Sequence, residues 1–139
     1  MAYQVDKFNG QFLTSVEDGT IDTTTDLRFV GKNYAGYGEV QNENFLHLLE
    51  NFASTSAPTA GTVLTGQLWY DKTDNVLRVY NGTQNGWVNL QPLVLGTAPV
   101  GTGARTNKKG ELYFDTSNNK FYIFDGATWK PTGYGGEVT

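Results

Sequence analysis

The 139 residues are 38% apolar, 14% aromatic and 17% charged, with 17 glycines, a balance that fits a small turn-rich β-protein and excludes a helical bundle or a multidomain enzyme. The absence of cysteine and the single histidine exclude disulfides, thiolate metal sites and two-histidine metal sites. A net charge of −4 argues against nucleic acid as the primary partner, and the lack of a long apolar run or apolar leader predicts no membrane span and no secretory signal.

The N-terminal region reads as short strands. Asn9-Gly10 and Asp18-Gly19 punctuate it, Thr23 to Thr25 favours extended backbone, and Leu27 to Val30 is a candidate strand. Residues 1–65 carry eight acidic and three basic side chains, read as a solvated acidic surface. Gly31 to Gly38 forms a glycine-tyrosine loop. Its spacing matches neither GxGxxG nor a P-loop, so it reads as a tight structural turn.

One amphipathic helix follows. Asn42 is placed to cap it, and Phe45, Leu48, Leu49 and Phe52 fall at i, i+3, i+4 and i+7. Leu46 lies off that stripe, facing a second surface. His47 sits on the same helix without a nucleophile pattern and reads as solvated or interfacial. Residues 53–65 form a linker rich in small residues and proline.

The second half contains an internal repeat at a spacing of 44. Residues 66–82 and 110–126 share Gly66/Gly110, Leu68/Leu112, Asp71/Asp115, Asn75/Asn119 and Gly82/Gly126, and each copy then meets a tryptophan, Trp87 or Trp129. Such self-similarity marks one supersecondary unit used twice. Each unit reads as a three-stranded meander: an aromatic strand, a turn at Asp71–Asn75 or Asp115–Asn119, a return strand, and a hairpin turn at Asn81-Gly82 or Asp125-Gly126. Between the copies, Gln91 to Lys109 reads as loop or linker. Tyr113, Phe114, Tyr122 and Phe124 make the second copy apolar on both faces. This demands cover from the chain itself or from a partner.

The repeat raises two chemical possibilities. Asp71, Thr73 and Asn75, like Asp115, Ser117 and Asn119, present oxygens at alternate positions. That suits either a calcium loop or turns that cap their own backbone, and the glycine and glutamate of a calcium loop are missing. Trp69, Trp87, Trp129 and Tyr113 suit either a sugar platform or a core or interface. The carboxylates occur singly, so no acid–base pair, cofactor site or metal site is assigned.

The run Gly31 to Ala53, the preceding Asp18 to Asp26 and the following Gly66 to Asp71 together resemble virion structural proteins of tailed bacteriophages, a pattern most familiar from contractile-tailed phages of cyanobacteria. The second repeat resembles aromatic hairpins of phage fibre proteins. The resemblance implies a non-enzymatic, tail-fibre-like or adaptor component of tail, neck, baseplate or capsid. It implies a homotrimer assembled in the host cytoplasm, with other virion proteins as partners. It carries no catalytic residues.

The expectation is therefore an α+β, mostly β chain. Residues 1–56 are N-terminal strands plus a helix, a docking or trimerisation region, 57–92 a first aromatic meander, and 93–139 a linker and a second meander. The interface candidates are Phe45, Leu46, Leu49, Phe52, Trp69, Trp87, Tyr113, Tyr122, Phe124 and Trp129. The competing expectation is a carbohydrate-binding module for host-surface polysaccharide.

Overall fold

A computed structural model describes residues 1–58, 62–82, 86–90 and 93–132. The chain is mostly β with one helix. Strand β1 (Tyr3–Asp6) pairs antiparallel with β2 (Phe12–Val16), and β3 (Ile21–Asp22) pairs with β4 (Phe29–Val30). The threonine run between β3 and β4 is a series of bends, not extended strand. The Asp22 carboxylate accepts the Thr24 amide and the Thr14 hydroxyl, which folds the segment back on itself.

Helix α1 spans Tyr37–Leu49, so it starts five residues ahead of Asn42. Its entry is Gly36, at φ 83°, a left-handed conformation that glycine adopts without penalty. The glycine-tyrosine loop thus supplies the first turn, and Asn42 lies inside the helix. At the other end Asn51 (φ 53°) and Phe52 (φ 55°) leave the helix, which takes Phe52 off the stripe. The helix buries Val40 and Asn44, one turn apart. Asn44 grips the backbone of Arg28 from both sides: its Oδ1 accepts the Arg28 amide at 3.0 Å, and its Nδ2 donates to the Arg28 carbonyl at 2.7 Å. This amide clamp satisfies both backbone groups of Arg28, the residue just ahead of β4.

The two repeats fold as two matching sheets. The first contains β5 (Leu68–Asp71), β6 (Val76–Tyr80) and β7 (Trp87–Asn89), in the order β5-β6-β7. The second contains β8 (Leu93–Leu95), β9 (Leu112–Asp115), β10 (Lys120–Phe124) and β11 (Trp129–Pro131), in the order β11-β10-β9-β8. Their backbones agree at the first turn and at the entry to the meander. Asn75 and Asn119 both sit at φ 57°, and each donates its amide at 2.7 Å to the carbonyl of Asp71 or Asp115. Gly66 and Gly110, at φ 94° and 96°, donate to Tyr80 and Phe124 at 2.8 Å. The aspartate side chains cap Thr73 and Ser117 at 2.9 Å, so the loop oxygens serve as turn caps.

A parallel segment ahead of each meander extends the predicted unit. β8 runs parallel to β9, within the stretch read as linker. In the first unit Ser54 bridges Asp71 in parallel, and the Tyr70 amide donates to the Asn51 carbonyl. Pairing with β5 therefore begins at Asn51, ahead of the boundary placed at 57. Of the two linkers, residues 59–61 and Gln91–Pro92 lie outside the described residues.

The hairpin turns also differ from expectation. Asp125 is not in the left-handed region; its Oδ1 caps the Ala127 and Thr128 amides at 2.8 Å, and only Gly126 has positive φ. The Asn81 amide donates to the Gly86 carbonyl, so the first connection is longer than two residues.

Each sheet carries an aromatic cluster on one face. Trp69 packs edge-on to Trp87 at 5.4 Å, and Tyr80 does so at 5.2 Å. In the second unit Tyr113 stacks on Tyr122 at 5.0 Å and meets Trp129 at 5.6 Å, while Phe124 meets Trp129 at 5.1 Å. Edge-to-face contacts at these separations add to burial. The opposite face of the second sheet pairs Phe114 with Phe121 at 4.9 Å, as its two-sided pattern implied.

Candidate functional site

Two features stand out: a buried ionic node between the units and an uncovered apolar tract on the N-terminal region.

The node forms at the end of β5. Alternation puts Trp69 and Asp71 on one face of the strand, and register places Arg78 opposite Trp69. Asp71 is 0% exposed and the Arg78 side chain 4%. A carboxylate and a guanidinium so deep require partners. Arg78 donates from Nε to Asp71 at 3.2 Å, from Nη2 to Asp74 at 2.8 Å, and from Nη1 to Asn89 at 2.6 Å. Arg105 completes the node from the second unit. It stands on a single 3-10 turn, Gly103–Arg105, between β8 and β9. Its Nε and Nη2 hold Asp71 at 2.6 and 3.0 Å, a bidentate grip, and Nη2 also donates to the Thr55 carbonyl. Both guanidinium carbons lie over the Trp69 ring, 5.4 Å (Arg105) and 5.7 Å (Arg78) from its centroid.

Burial pushes the Asp71 carboxyl up, but the bonds from Arg105 and the Thr73 and Asp74 amides outweigh it and hold the group below the ordinary carboxylate range. The same partnership raises Arg105. A carboxylate so saturated with donors is a poor base and a strong fastener. A polar seam of about 320 Å³ runs beside it, lined by Arg78, Asn89, Pro99, Arg105 and Asn107.

The apolar tract is built on α1. Phe45, Leu46, Leu48 and Leu49 are 61, 52, 49 and 79% exposed. The predicted stripe therefore faces outward, and the chain packs Val40 and Asn44 inward instead. Two grooves flank it. One, of about 490 Å³, runs from the end of α1 to the first sheet past Leu27, Phe52, Leu64 and Leu68. The other, of about 400 Å³, runs under the β1–β2 hairpin past Tyr3, Val5 and Phe45. Leu27, Phe29 and Leu48 line both, which makes the tract continuous.

The predicted interface residues separate into two sets. Phe45, Leu46 and Leu49 are exposed together, with Phe52 half-buried at their edge. Trp69, Trp87 and Tyr113 are 0, 6 and 5% exposed, covered by their own chain, while Tyr122, Phe124 and Trp129 are half-buried. The Trp69 and Trp129 indoles donate to the Ser54 and Pro99 carbonyls. His47 stacks on Phe52 at 6.5 Å on the helix surface. Arg78, Arg105 and Asn44 escaped the sequence reading. The available signal was a charged pair alternating with tryptophan on the aromatic face, since such charges must find partners. Comparison with family models, with curated proteins and with solved structures returned no match to the chain.

Proposed function

We propose that the chain is a non-enzymatic structural component of a bacteriophage virion, fibre-like or adaptor in role, that acts by oligomeric assembly as a homotrimer. The phage assignment rests on the sequence resemblance of residues 17–90. The observation that carries the assembly reading is the apolar helix face, with Leu49 at 79% and Phe45 at 61% exposure. An isolated chain leaves this tract in water, and contiguous apolar surface of this kind marks an interaction site. Three copies brought together through α1 cover it and leave the meanders outward for other virion proteins. The polysaccharide alternative needs a planar tryptophan platform, and Trp69 and Trp87 have little surface to offer one.

The test is absolute mass by light scattering after size exclusion. A mass near three chains, reverting to one in Phe45→Asp, supports the reading. A monomer at all concentrations for the unaltered chain overturns the trimer.

A further inference from the structure

The two units are not equally completed. In the first, Asp71 ends a strand behind Trp69 and receives Arg105 from the turn of the following unit. In the second, Asp115 ends the equivalent strand behind Tyr113. Its Oδ1 accepts the Ser117 amide and hydroxyl at 2.9 and 2.6 Å. Tyr122 stands where Arg78 stands in the first unit, stacked on Tyr113 at 5.0 Å. Lys120 is the cross-strand neighbour of Asp115, yet among the described residues no ion pair reaches that aspartate.

We propose that the Asp115–Tyr122 corner is an interaction surface for an arginine-bearing turn of a partner polypeptide, its guanidinium on the half-buried Asp115 carboxylate as Arg105 is on Asp71 and beside the half-buried Tyr122 ring, since Tyr113 is already covered by its own chain. The occupant's chemistry follows from the filled counterpart: a guanidinium that meets a carboxylate edge-on and an aromatic ring face-on. Its source lies outside these residues. The three arginines of the chain already have acids: Arg28 pairs with Glu43, and Arg78 and Arg105 with Asp71. Residues 133–139 contain neither arginine nor lysine. The partner is thus a further meander unit, and the two sheets of this chain are two steps of a stack that it continues. The inference stands on the repeat and not on the virion assignment.

The probe is a synthetic peptide of residues 97–108, and a control peptide with citrulline in place of its arginine. Each is titrated into the isotope-labelled full chain, followed by NMR. The expected result is saturable shifts at Tyr113, Asp115, Ser117 and Tyr122, lost with citrulline and weakened at least tenfold in Asp115→Asn. That variant keeps the Oδ1 acceptor of the turn. The Arg105→Ala chain vacates the Asp71 seat and shows what a filled seat looks like with the same peptide. Silence at Asp115, whether or not Asp71 responds, overturns the proposal. So do equal shifts with citrulline, or undiminished binding by Asp115→Asn.

Discussion

Asp71→Ala is the sharpest test of the node. The substitution strands Arg78, whose side chain is 4% exposed. Breaking a buried pair from one side costs about 3–5 kcal/mol. Arg78 retains Asp74 at 2.8 Å and Asn89 at 2.6 Å, so the low end applies, about 3 kcal/mol. Arg105, 26% exposed, reaches water and adds little. For a domain of this size the loss lowers Tm by roughly 9 °C. Arg105→Ala removes charged hydrogen bonds from the other side and costs about 2 kcal/mol. Because the two side chains touch, the double variant should lose less than the sum, by about 1–2 kcal/mol. Urea unfolding followed by tryptophan fluorescence measures all four corners, since Trp69 lies under both guanidinium groups. A cost below about 1 kcal/mol for Asp71→Ala, or strict additivity, would refute the claim that the node fastens the units together.

The pH dependence has a definite sign. The folded pKa of Asp71 lies below the ordinary value, so its contribution is full above about pH 4 and is lost as pH falls through the folded value. In Arg105→Ala burial faces fewer opposing donors, so acid unfolding followed by circular dichroism should begin at higher pH than in the parent. Leu49→Asp should change monomer stability by less than about 0.5 kcal/mol, because the side chain is 79% exposed, yet lower the mass measured by light scattering. Asn44→Ala should cost about 1–3 kcal/mol and speed hydrogen exchange at the Arg28 amide, since both Arg28 backbone groups lose their partner. Asn75→Gly and Asn119→Gly should be tolerated within about 0.5 kcal/mol, whereas valine at either position should cost about 1–2 kcal/mol in thermal unfolding, because φ is 57° at both.

The repeat was legible because its turns are chemical: Asp, Thr or Ser, and Asn at fixed offsets leave the backbone little choice. The strands of both meanders follow from that. The helix was legible in kind but not in placement. Its apolar stripe is a surface, and its inner face rests on Val40 and on Asn44, a polar residue that reads as solvent-facing until Arg28 is seen beside it. The start was hidden because Gly36 and Gly38 look like loop. The parallel strand β8 escaped because three residues after a proline carry no period. Arg105 escaped for a different reason: 34 positions separate it from Asp71 in the chain, and nothing local marks a linker arginine as the partner of a buried acid. Long-range charge pairing is a property of the assembled sheets.

The crossing between α1 and the first sheet has a mechanical consequence. The Asn51 carbonyl holds the Tyr70 amide, the Tyr70 carbonyl holds the Ser54 amide, and the Ser54 carbonyl holds the Lys72 amide, at 2.9, 3.1 and 3.0 Å. These bonds flank Asp71, which carries Arg105. A displacement of the helix end is therefore passed through main-chain bonds to β5 and, at Asp71, to the Arg105 turn of the second unit. Helix and second sheet are thus tied to opposite sides of one residue, the first through main-chain bonds and the second through a guanidinium.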